Sequence, residues 1–224
     1  MMEGSAAIND LAALVDDRPG DGVFRIDRAV YTDPTVYEAE LDGIFRGGWV
    51  YLCHESEIAN TGDYCATHMG VDPVLVTRAK DGAVRGFINA CTHRGALLTQ
   101  CRRGNAGALT CRFHGWSYAL DGRCLRVKNE AEGYGEAEVD RAPFDLTPIG
   151  RVESYRGFVF GSMTEEVPPL ADYLGAAKAW IDLIADQSPD GLEVVPGSST
   201  YVIWGNWKMQ AENGVDGYHV STVH

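Results

Sequence analysis

The chain has 224 residues, of which 45% are hydrophobic, so its length allows one large domain or two ordinary ones with buried cores. Nineteen lysines and arginines against 32 aspartates and glutamates give a net charge of −13, which repels nucleic-acid phosphates and anionic lipids and excludes both as partners. No apolar run reaches the length of about 18 residues that a membrane span needs, and no basic segment leads into an apolar one at the N-terminus. We therefore expect a cytoplasmic protein.

The first part of the chain predicts short helices and one strand. Residues 8–15 form a weakly amphipathic run, and residues 23–26 alternate as a strand does. Asp33 followed by Pro34 is typical of a helix start, with Asp33 as the N-cap and proline in the first helical position. We expect this helix to end at the glycine pair of residues 47–48.

The middle of the chain, from residue 49 to residue 161, predicts an all-β module. Short strand-like runs recur there, separated by turn sequences such as Lys-Asp-Gly at residues 80–82. The predicted strands are 49–53, 63–67, 73–78, 84–89, 108–110, 117–120 and 157–160. Residues 129–150, rich in Glu, Gly and Pro, form a long excursion in which we predict little regular structure.

After residue 163 the apolar spacing lengthens again. Residues 169–187 predict one amphipathic helix or two, and residues 199–204 predict a strand. No internal repeat or low-complexity tract is present.

A mixed Cys and His motif occupies the β module. Cys91-Thr92-His93 is followed, after 17 residues, by a second pair, Cys111 and His114, so that each pair lies on its own short loop. Zinc sites usually keep their two cysteines together and their two histidines together. A Rieske [2Fe-2S] cluster instead has two thiolates on one iron and two imidazoles on the other, so each loop supplies one ligand to each iron. The mixed spacing favours the cluster and leaves structural zinc as the alternative.

A second candidate metal site lies in the last residues of the sequence. Two histidines five residues apart, His219 and His224, follow Asp216, and non-haem Fe(II) oxygenases bind their metal through two histidines and one carboxylate. On an ideal helix five residues turn by about 500°, so the two rings would point about 140° apart. We therefore predict a π-type widening or a break between the two histidines, helped by Gly217.

These motifs resemble those of one known family. The runs Cys-Thr-His-Arg-Gly from residue 91 and Cys-x-Phe-His-Gly-Trp from residue 111 are similar to the Rieske domain of aromatic-ring-hydroxylating oxygenases. Respiratory Rieske proteins carry an extra cysteine in each loop, where this sequence has residues such as Ala96 and Phe113. Residues 206–224 are similar to the mononuclear-iron segment of the same oxygenases. Residues 153–158, 186–189 and 205–213 look like the large (α) subunits of benzoate and anthranilate dioxygenases.

The resemblance implies an α+β fold. An all-β Rieske module at residues 47–163 would be inserted between an N-terminal helical segment, residues 1–46, that packs on the catalytic domain, and the start of an α+β, helix-grip-like catalytic domain at residues 164–224. The family's third iron ligand, a carboxylate, lies further downstream. We therefore expect a fragment of a longer subunit, inactive by itself, with apolar surface exposed near its end.

The resemblance also implies an activity. Electrons from NADH would pass through a reductase carrying flavin and an iron–sulfur cluster to the Rieske cluster, bound by Cys91, His93, Cys111 and His114, and then to Fe(II), bound by His219 and His224. The iron would activate O₂ for cis-dihydroxylation of a benzoate- or anthranilate-like aromatic acid. Asp216 would accept a hydrogen bond from His114 of an adjacent subunit and contact His219, in an oligomer with a β subunit such as α3β3.

Two other functions are considered. A Rieske ferredoxin, which carries electrons without a catalytic iron, would end after the β module, whereas residues 164–224 continue with the Asp and His pattern. A zinc-stabilised binding module would lack the colour and paramagnetism of the cluster. Other residues are expected to have structural roles: reduced thiols at Cys53, Cys65, Cys101 and Cys124, and structural or exposed imidazoles at His54 and His68. The indole of Trp116 either covers the cluster from water or packs in the core.

Overall fold

The computed structural model describes residues 11–135, 139–195, 197 and 199–223. The chain divides into two compact units. The smaller unit combines Met1–Leu41 with Pro196–His224, and the larger unit is Asp42–Val195. No helix among the described residues is both long enough and apolar enough to cross a bilayer.

The larger unit contains three antiparallel sheets. One has four strands in the order β6-β5-β4-β7, and the others have the orders β11-β12-β3 and β10-β9-β8. The strands are β3 Val50–His54, β4 Asp63–Met69, β5 Asp72–Arg78, β6 Val84–Ile88, β7 Arg103–Asn105, β8 Leu109–Thr110, β9 Ser117–Tyr118, β10 Cys124–Arg126, β11 Arg151–Tyr155 and β12 Phe158–Ser162. The predicted all-β module is thus present, with every strand predicted between residues 49 and 161 found within two residues at each end.

Three apolar clusters lie within the described part of this unit. The smallest is formed by Trp49, Val167 and Leu170. A larger one lies between β3, β4, β5 and β12, and it is built from Leu52, Cys53, Ile58, Cys65, Met69, Val74, Val76, Ile149 and Val159. The third contains Leu75 and Phe87 of the four-stranded sheet together with Cys91, Cys111, Trp116 and Tyr118. Both cysteines of the predicted cluster motif therefore lie in an apolar core, at its edge towards the loops.

Helices flank the sheets of the larger unit. They are a π-helical turn Leu41–Arg46, α3 Glu130–Tyr134, α4 Leu170–Leu174 and α5 Lys178–Ala185. The prediction for residues 169–187 is confirmed in its two-helix form, and the interruption falls at Gly175, whose φ is +49°. A glycine accepts this left-handed conformation without the steric cost that a side chain would add.

The smaller unit holds a hairpin and short helices. Its elements are a 3-10 turn Leu11–Leu14, β1 Val15–Arg18, β2 Val23–Ile26, α1 Ala29–Thr32, α2 Pro34–Glu40, α6 Trp207–Val215 and α7 Val220–Val223. The predicted helix start is confirmed, because the Asp33 carboxylate accepts a hydrogen bond from Thr35 N at 2.7 Å and Pro34 occupies the first turn. The helix continues as the π-helical turn and ends at Arg46, just before the predicted glycine pair.

Some predictions need correction. In the helix predicted for residues 8–15, residues 8–10 lie outside the described residues, and Val15 begins a strand that pairs with β2. The strand predicted for residues 199–204 is absent, since none of these residues pairs with another described strand. Strand character depends on a neighbouring strand for its backbone hydrogen bonds, and sequence alternation alone does not provide one. Strands β7, β10 and β11 were not predicted, because they are short or rich in polar residues.

Candidate metal centre

Two loops with the same backbone design carry the Cys and His motif. In the first, Cys91 N donates to Ala96 O and Gly95 N donates to Cys91 O, each at 2.8 Å. In the second, Cys111 N donates to Trp116 O at 2.8 Å and Gly115 N donates to Cys111 O at 2.9 Å. The glycines have φ angles of +72° and +74°, so both loops turn through a left-handed residue. The two loops therefore share one backbone design, although His93 follows its cysteine by two residues and His114 follows its cysteine by three.

The two thiols of the motif lie side by side in the core. Cys91 and Cys111 are each 2% exposed in the same apolar cluster, close enough for Cys111 to act to raise the pKa of the Cys91 thiol. Burial raises the pKa of the Cys91 thiol, and its hydrogen bond with Tyr118 acts in the opposite direction. A metal bound to both sulfurs would replace the two thiol protons and supply the positive charge that two buried thiolates need.

The two imidazoles form a second pair nearer to the surface. The ring centroids of His93 and His114 are 4.6 Å apart, and the rings meet edge to face at 77°. Trp116, which is 5% exposed, stacks on His93 with a centroid separation of 4.7 Å and an interplanar angle of 13°. Phe113, which is 69% exposed, packs against His114 with their ring centroids 4.4 Å apart. The indole thus covers one face of His93, and its role in covering a cluster stays a prediction.

Sulfur is therefore paired with sulfur, and imidazole with imidazole. Within the part of the chain that the structure describes, no three His, Cys, Asp or Glu side chains are arranged around a single metal ion. A two-iron cluster has a different requirement, because each of its irons takes only two protein ligands. The donor set, two buried thiols and two more exposed imidazoles on paired loops, fits that requirement.

Tyr118 is a site residue that the sequence did not reveal. Its buried hydroxyl lies 3.1 Å from Cys91 Sγ and 3.0 Å from Thr92 Oγ1. Burial, followed by the contact with Cys91, raises the pKa of this phenol, so it keeps its proton and remains a hydrogen-bond donor at ordinary pH. In the sequence it is a tyrosine of a strand, which is more simply interpreted as a core residue, and no spacing rule distinguishes it.

The other cysteines and histidines have structural surroundings. None of the six cysteines, all of which the structure describes, forms a disulfide bond. His54 is buried, and its Nδ1 accepts a hydrogen bond from Ser56 N at the start of a 3-10 turn. His68 is an exposed residue of β4.

The second predicted site is described only in part. Asp216 ends α6, where one of its carboxylate oxygens accepts from Tyr218 N at 2.8 Å and the other lies 3.0 Å from His219 Nδ1. A carboxylate beside Nδ1 favours the tautomer that carries its hydrogen there and its lone pair on Nε2, which is a common arrangement for a metal-binding histidine. His224 lies outside the described residues.

The predicted widening between the two histidines ends at His224, which lies outside the described residues, so it stays a prediction. A helix break lies earlier, between Val215 and Val220, in the segment that contains Gly217. Val223 N donates to His219 O at 3.0 Å, which is a regular spacing of four residues. The carboxylate of Asp216 ends α6 and accepts a hydrogen bond from the backbone of the turn, which redirects the chain before the first histidine.

Comparison with known families identifies the β module. The family model described as Rieske [2Fe-2S] domain matches residues 48–155. These residues are a Rieske domain. The match favours an iron–sulfur cluster over structural zinc. It begins one residue after the predicted first residue of the domain, 47, and ends eight residues before the predicted last residue, 163.

The Rieske domain belongs to a chain with named relatives. Toluate 1,2-dioxygenase subunit alpha of Pseudomonas putida is 49% identical over 95% of this chain and 47% of its own length. The anthranilate 1,2-dioxygenase large subunit of Acinetobacter baylyi is 48% identical over 96% of this chain and 46% of its own. A 2-halobenzoate 1,2-dioxygenase large subunit of Burkholderia cepacia is 44% identical over 99% and 48%. The chain spans about half the length of the relatives that it matches.

A solved structure gives the same result. Naphthalene 1,2-dioxygenase from Rhodococcus sp., bound to indole, superposes with a TM-score of 0.81 at 37% identity, over 88% of this chain and 45% of that one. A quaternary ammonium Rieske monooxygenase superposes with a TM-score of 0.74 at 29% identity. The α+β fold with a Rieske module is therefore established. The named relatives are subunits of 1,2-dioxygenases, and one of the superposed structures is named a Rieske monooxygenase.

Proposed function

We propose that this chain is part of the α subunit of a multicomponent aromatic-ring-hydroxylating dioxygenase. The proposal rests on two features. Two buried thiols and two imidazoles lie on loops with the same backbone design, and the chain continues into the segment that contains Asp216 and His219. A Rieske ferredoxin, the alternative, needs only the first of these features. The named relatives, all dioxygenase subunits, support the enzyme rather than the carrier.

Cys91 and Cys111 would hold one iron of the cluster, and His93 and His114 would hold the other. The cluster, when bound, supplies a site that accepts and releases one electron at a time. Around it, Tyr118 would donate to the Cys91 sulfur once that sulfur is a thiolate, and Trp116 excludes water from one face of His93. Both contacts act on properties that set the reduction potential of such a centre, namely hydrogen bonding to sulfur and solvent exposure.

The second site would hold mononuclear Fe(II) through His219 and His224. Asp216 orients His219 by accepting a hydrogen bond at its Nδ1. In an oligomer, for instance with a β subunit in an α3β3 arrangement, the same carboxylate would accept a hydrogen bond from His114 of an adjacent subunit. Asp216 would then connect the two metal sites. A flavin and iron–sulfur reductase using NADH would be the electron donor.

The substrate would be O₂ with a benzoate- or anthranilate-like aromatic acid, converted to a cis-dihydrodiol. This choice follows the printed names of the relatives, which act on toluate, anthranilate and 2-halobenzoate. The test is product analysis of the full-length subunit with its reductase, NADH, ¹⁸O₂ and a panel of aromatic acids. Two labelled oxygens on the ring of one acid are expected. A cluster that is reduced by NADH without oxidation of any panel member would support the carrier function instead.

The Asp216 connection has its own test. Asp216→Asn keeps the shape of the side chain and removes its charge. We expect both metals to remain bound and single-turnover product formation to slow by about tenfold or more. His68→Asn, at an exposed position of the Rieske domain, is the control and should change nothing. Unchanged single-turnover rates in Asp216→Asn would refute the connection.

A further inference from the structure

Helix α6, which leads directly into Asp216, is held by polar contacts. None of its residues is buried, so apolar packing contributes little to its position within the described part of the smaller unit. Its first turn is capped by Asn206, whose side-chain oxygen accepts from Lys208 N at 3.1 Å. The contacts that fix its direction come instead from α1 and α2, which are more than 160 residues earlier in the sequence.

Glu40, the last residue of α2, binds two consecutive residues of α6. One carboxylate oxygen accepts from Lys208 Nζ at 2.6 Å, and the other accepts from Trp207 Nε1 at 2.9 Å. The side chains of Glu40 and Lys208 are only 11% and 15% exposed. The ammonium group also lies over the rings of Tyr31 and Trp207, at 5.7 and 5.5 Å from their centroids. Two charges with so little water around them depend on each other, because removing one leaves the other uncompensated.

Tyr31 of α1 adds a second connection one turn further along. Its hydroxyl donates to Glu212 Oε1 at 2.6 Å, and its backbone carbonyl accepts from Asn206 Nδ2 at 3.1 Å. The carbonyl of Glu212 in turn accepts from Asp216 N at 2.9 Å. The polar contacts therefore extend along α6 from its N-cap to the residue that holds Asp216.

We propose that Glu40 is a positioning residue for the Asp216 and His219 pair. Through Lys208 and Trp207 it sets the direction of α6, and the C-terminal end of α6 places the Asp216 carboxylate beside His219 Nδ1. The inference rests on the proposed function, because it assigns a role towards the second metal site. It gives the N-terminal segment a part in metal binding, although that segment contributes no ligand.

The test uses the full-length subunit and measures the Fe(II) dissociation constant and the electron paramagnetic resonance spectrum of its nitric oxide complex. Glu40→Ala and Lys208→Ala are expected to weaken Fe(II) binding by about tenfold and to alter the spectrum. Lys208→Arg keeps the charge and the ring contacts, and it should stay within about twofold of the original protein. Glu38→Ala, at an exposed position of α2, is the matched control and should have no effect.

Melting temperature and cluster absorbance separate positioning from simple loss of stability. If Glu40 only stabilised the fold, Glu40→Ala would lower the melting temperature, but below the melting transition the bound iron would keep its original spectrum and affinity. That result would overturn the proposal. If Glu40→Ala does not fold, Glu40→Gln replaces it, since glutamine keeps an acceptor for Trp207 Nε1 and removes only the charge. If the single variants Glu40→Gln and Lys208→Ala both bind Fe(II) with the affinity of the original protein, the proposal is equally overturned.

The variant His219→Ala separates a test of the metal site from a test of the positioning role of Glu40. If His219→Ala loses Fe(II) while Glu40→Ala keeps the original affinity and spectrum, the positioning role is wrong and the proposed metal site stands. If His219→Ala binds Fe(II) as well as the original protein does, the metal site itself is wrong, and the role of Glu40 falls with it.

Discussion

The hydroxyl of Tyr118 lies between Cys91 Sγ, at 3.1 Å, and Thr92 Oγ1, at 3.0 Å. Thr92 Oγ1 itself donates its hydrogen to Phe144 O at 2.7 Å, because a carbonyl only accepts. Thr92 therefore faces Tyr118 as an acceptor, and the single phenolic hydrogen is shared between an oxygen and a sulfur. Once Cys91 is a thiolate, this hydrogen is the one donor that the three side chains offer to the sulfur.

Tyr118→Phe should lower the reduction potential of the cluster. A hydrogen bond to sulfur stabilises the more negative, reduced state, and losing about 1 kcal/mol of that preference corresponds to about 40 mV for one electron. The measurement is a potentiometric titration followed by electron paramagnetic resonance. Tyr134→Phe, at a half-exposed tyrosine that touches only the Phe144 ring in this aromatic group, is the control. A potential that is the same in Tyr118→Phe as in the control would contradict the role of the hydroxyl.

Thr92→Val should shift the potential in the opposite direction. Valine has nearly the shape of threonine but no acceptor, so the Tyr118 hydrogen is left to the Cys91 sulfur alone. We expect a rise of on the order of 10 to 40 mV by the same conversion. The same titration measures it, and the double variant with Tyr118→Phe should lose the rise. A fall in potential in Thr92→Val alone would show that the hydrogen is not shared.

Gly115→Ala should destabilise the second ligand loop. The φ of +74° is left-handed, which costs a residue with a side chain about 1 to 2 kcal/mol, and an added Cβ would approach Lys128 Cδ at 3.2 Å. We expect a lower unfolding free energy and incomplete incorporation of the cluster, measured by denaturation and by absorbance per protein. Gly107→Ala is the control, because nothing lies within 4 Å of its added Cβ and its φ is not left-handed. Equal stability of the two variants would argue against a strained loop.

The free energy of unfolding should depend on pH through the carboxyl group of Asp63. Burial alone would raise the pKa of this carboxyl, but hydrogen bonds from Asn105 Nδ2 and Asn60 N outweigh it and leave the pKa below the ordinary value of 3.8. A lowered pKa gives stability that is complete above that value and is lost as pH falls through the lower, folded-state value. Asp63→Asn should therefore be less stable than the original chain at neutral pH, and the difference should shrink below about pH 4.

The measurement for Asp63 is the urea-unfolding free energy from pH 7 to pH 2. Asp190→Asn, at an exposed position, serves as the control. A stability difference that is independent of pH across this range would mean that the charge of Asp63 contributes nothing.

Four consecutive apolar residues, 201–204, should make this 224-residue chain associate. Their exposed fractions run from 68% to 97%, the largest being that of Trp204. Exposed apolar surface of this kind binds hydrophobic dyes and other copies. Replacing Ile203 and Trp204 by serine should lower dye fluorescence and sedimentation-detected association, with the cluster absorbance unchanged. Leu125→Ser, a single exposed apolar residue of the Rieske domain, is the control. If the variant with both serines associates as much as the original chain does, the surface responsible for association lies elsewhere.

The sequence by itself determined the features that depend on local spacing. The two mixed motifs pointed to a Rieske cluster because ligand order along the chain follows from which iron each loop must reach. Strand alternation, turn residues and the Asp33-Pro34 helix start act over a few residues, and the structure reproduces them.

Only the tertiary structure decided which distant side chains meet. The hydroxyl of Tyr118 reaches Cys91 because two strands and two loops fold onto one core, and Glu40 binds Lys208 across 168 residues of sequence. The break before His219 depends on how Asp216 ends its helix, and residues 199–204 are strand-like in sequence without pairing as a strand. Periodicity records which side of an element is apolar, whereas a contact between elements depends on the packing of the whole unit, and that packing leaves no local pattern in the chain.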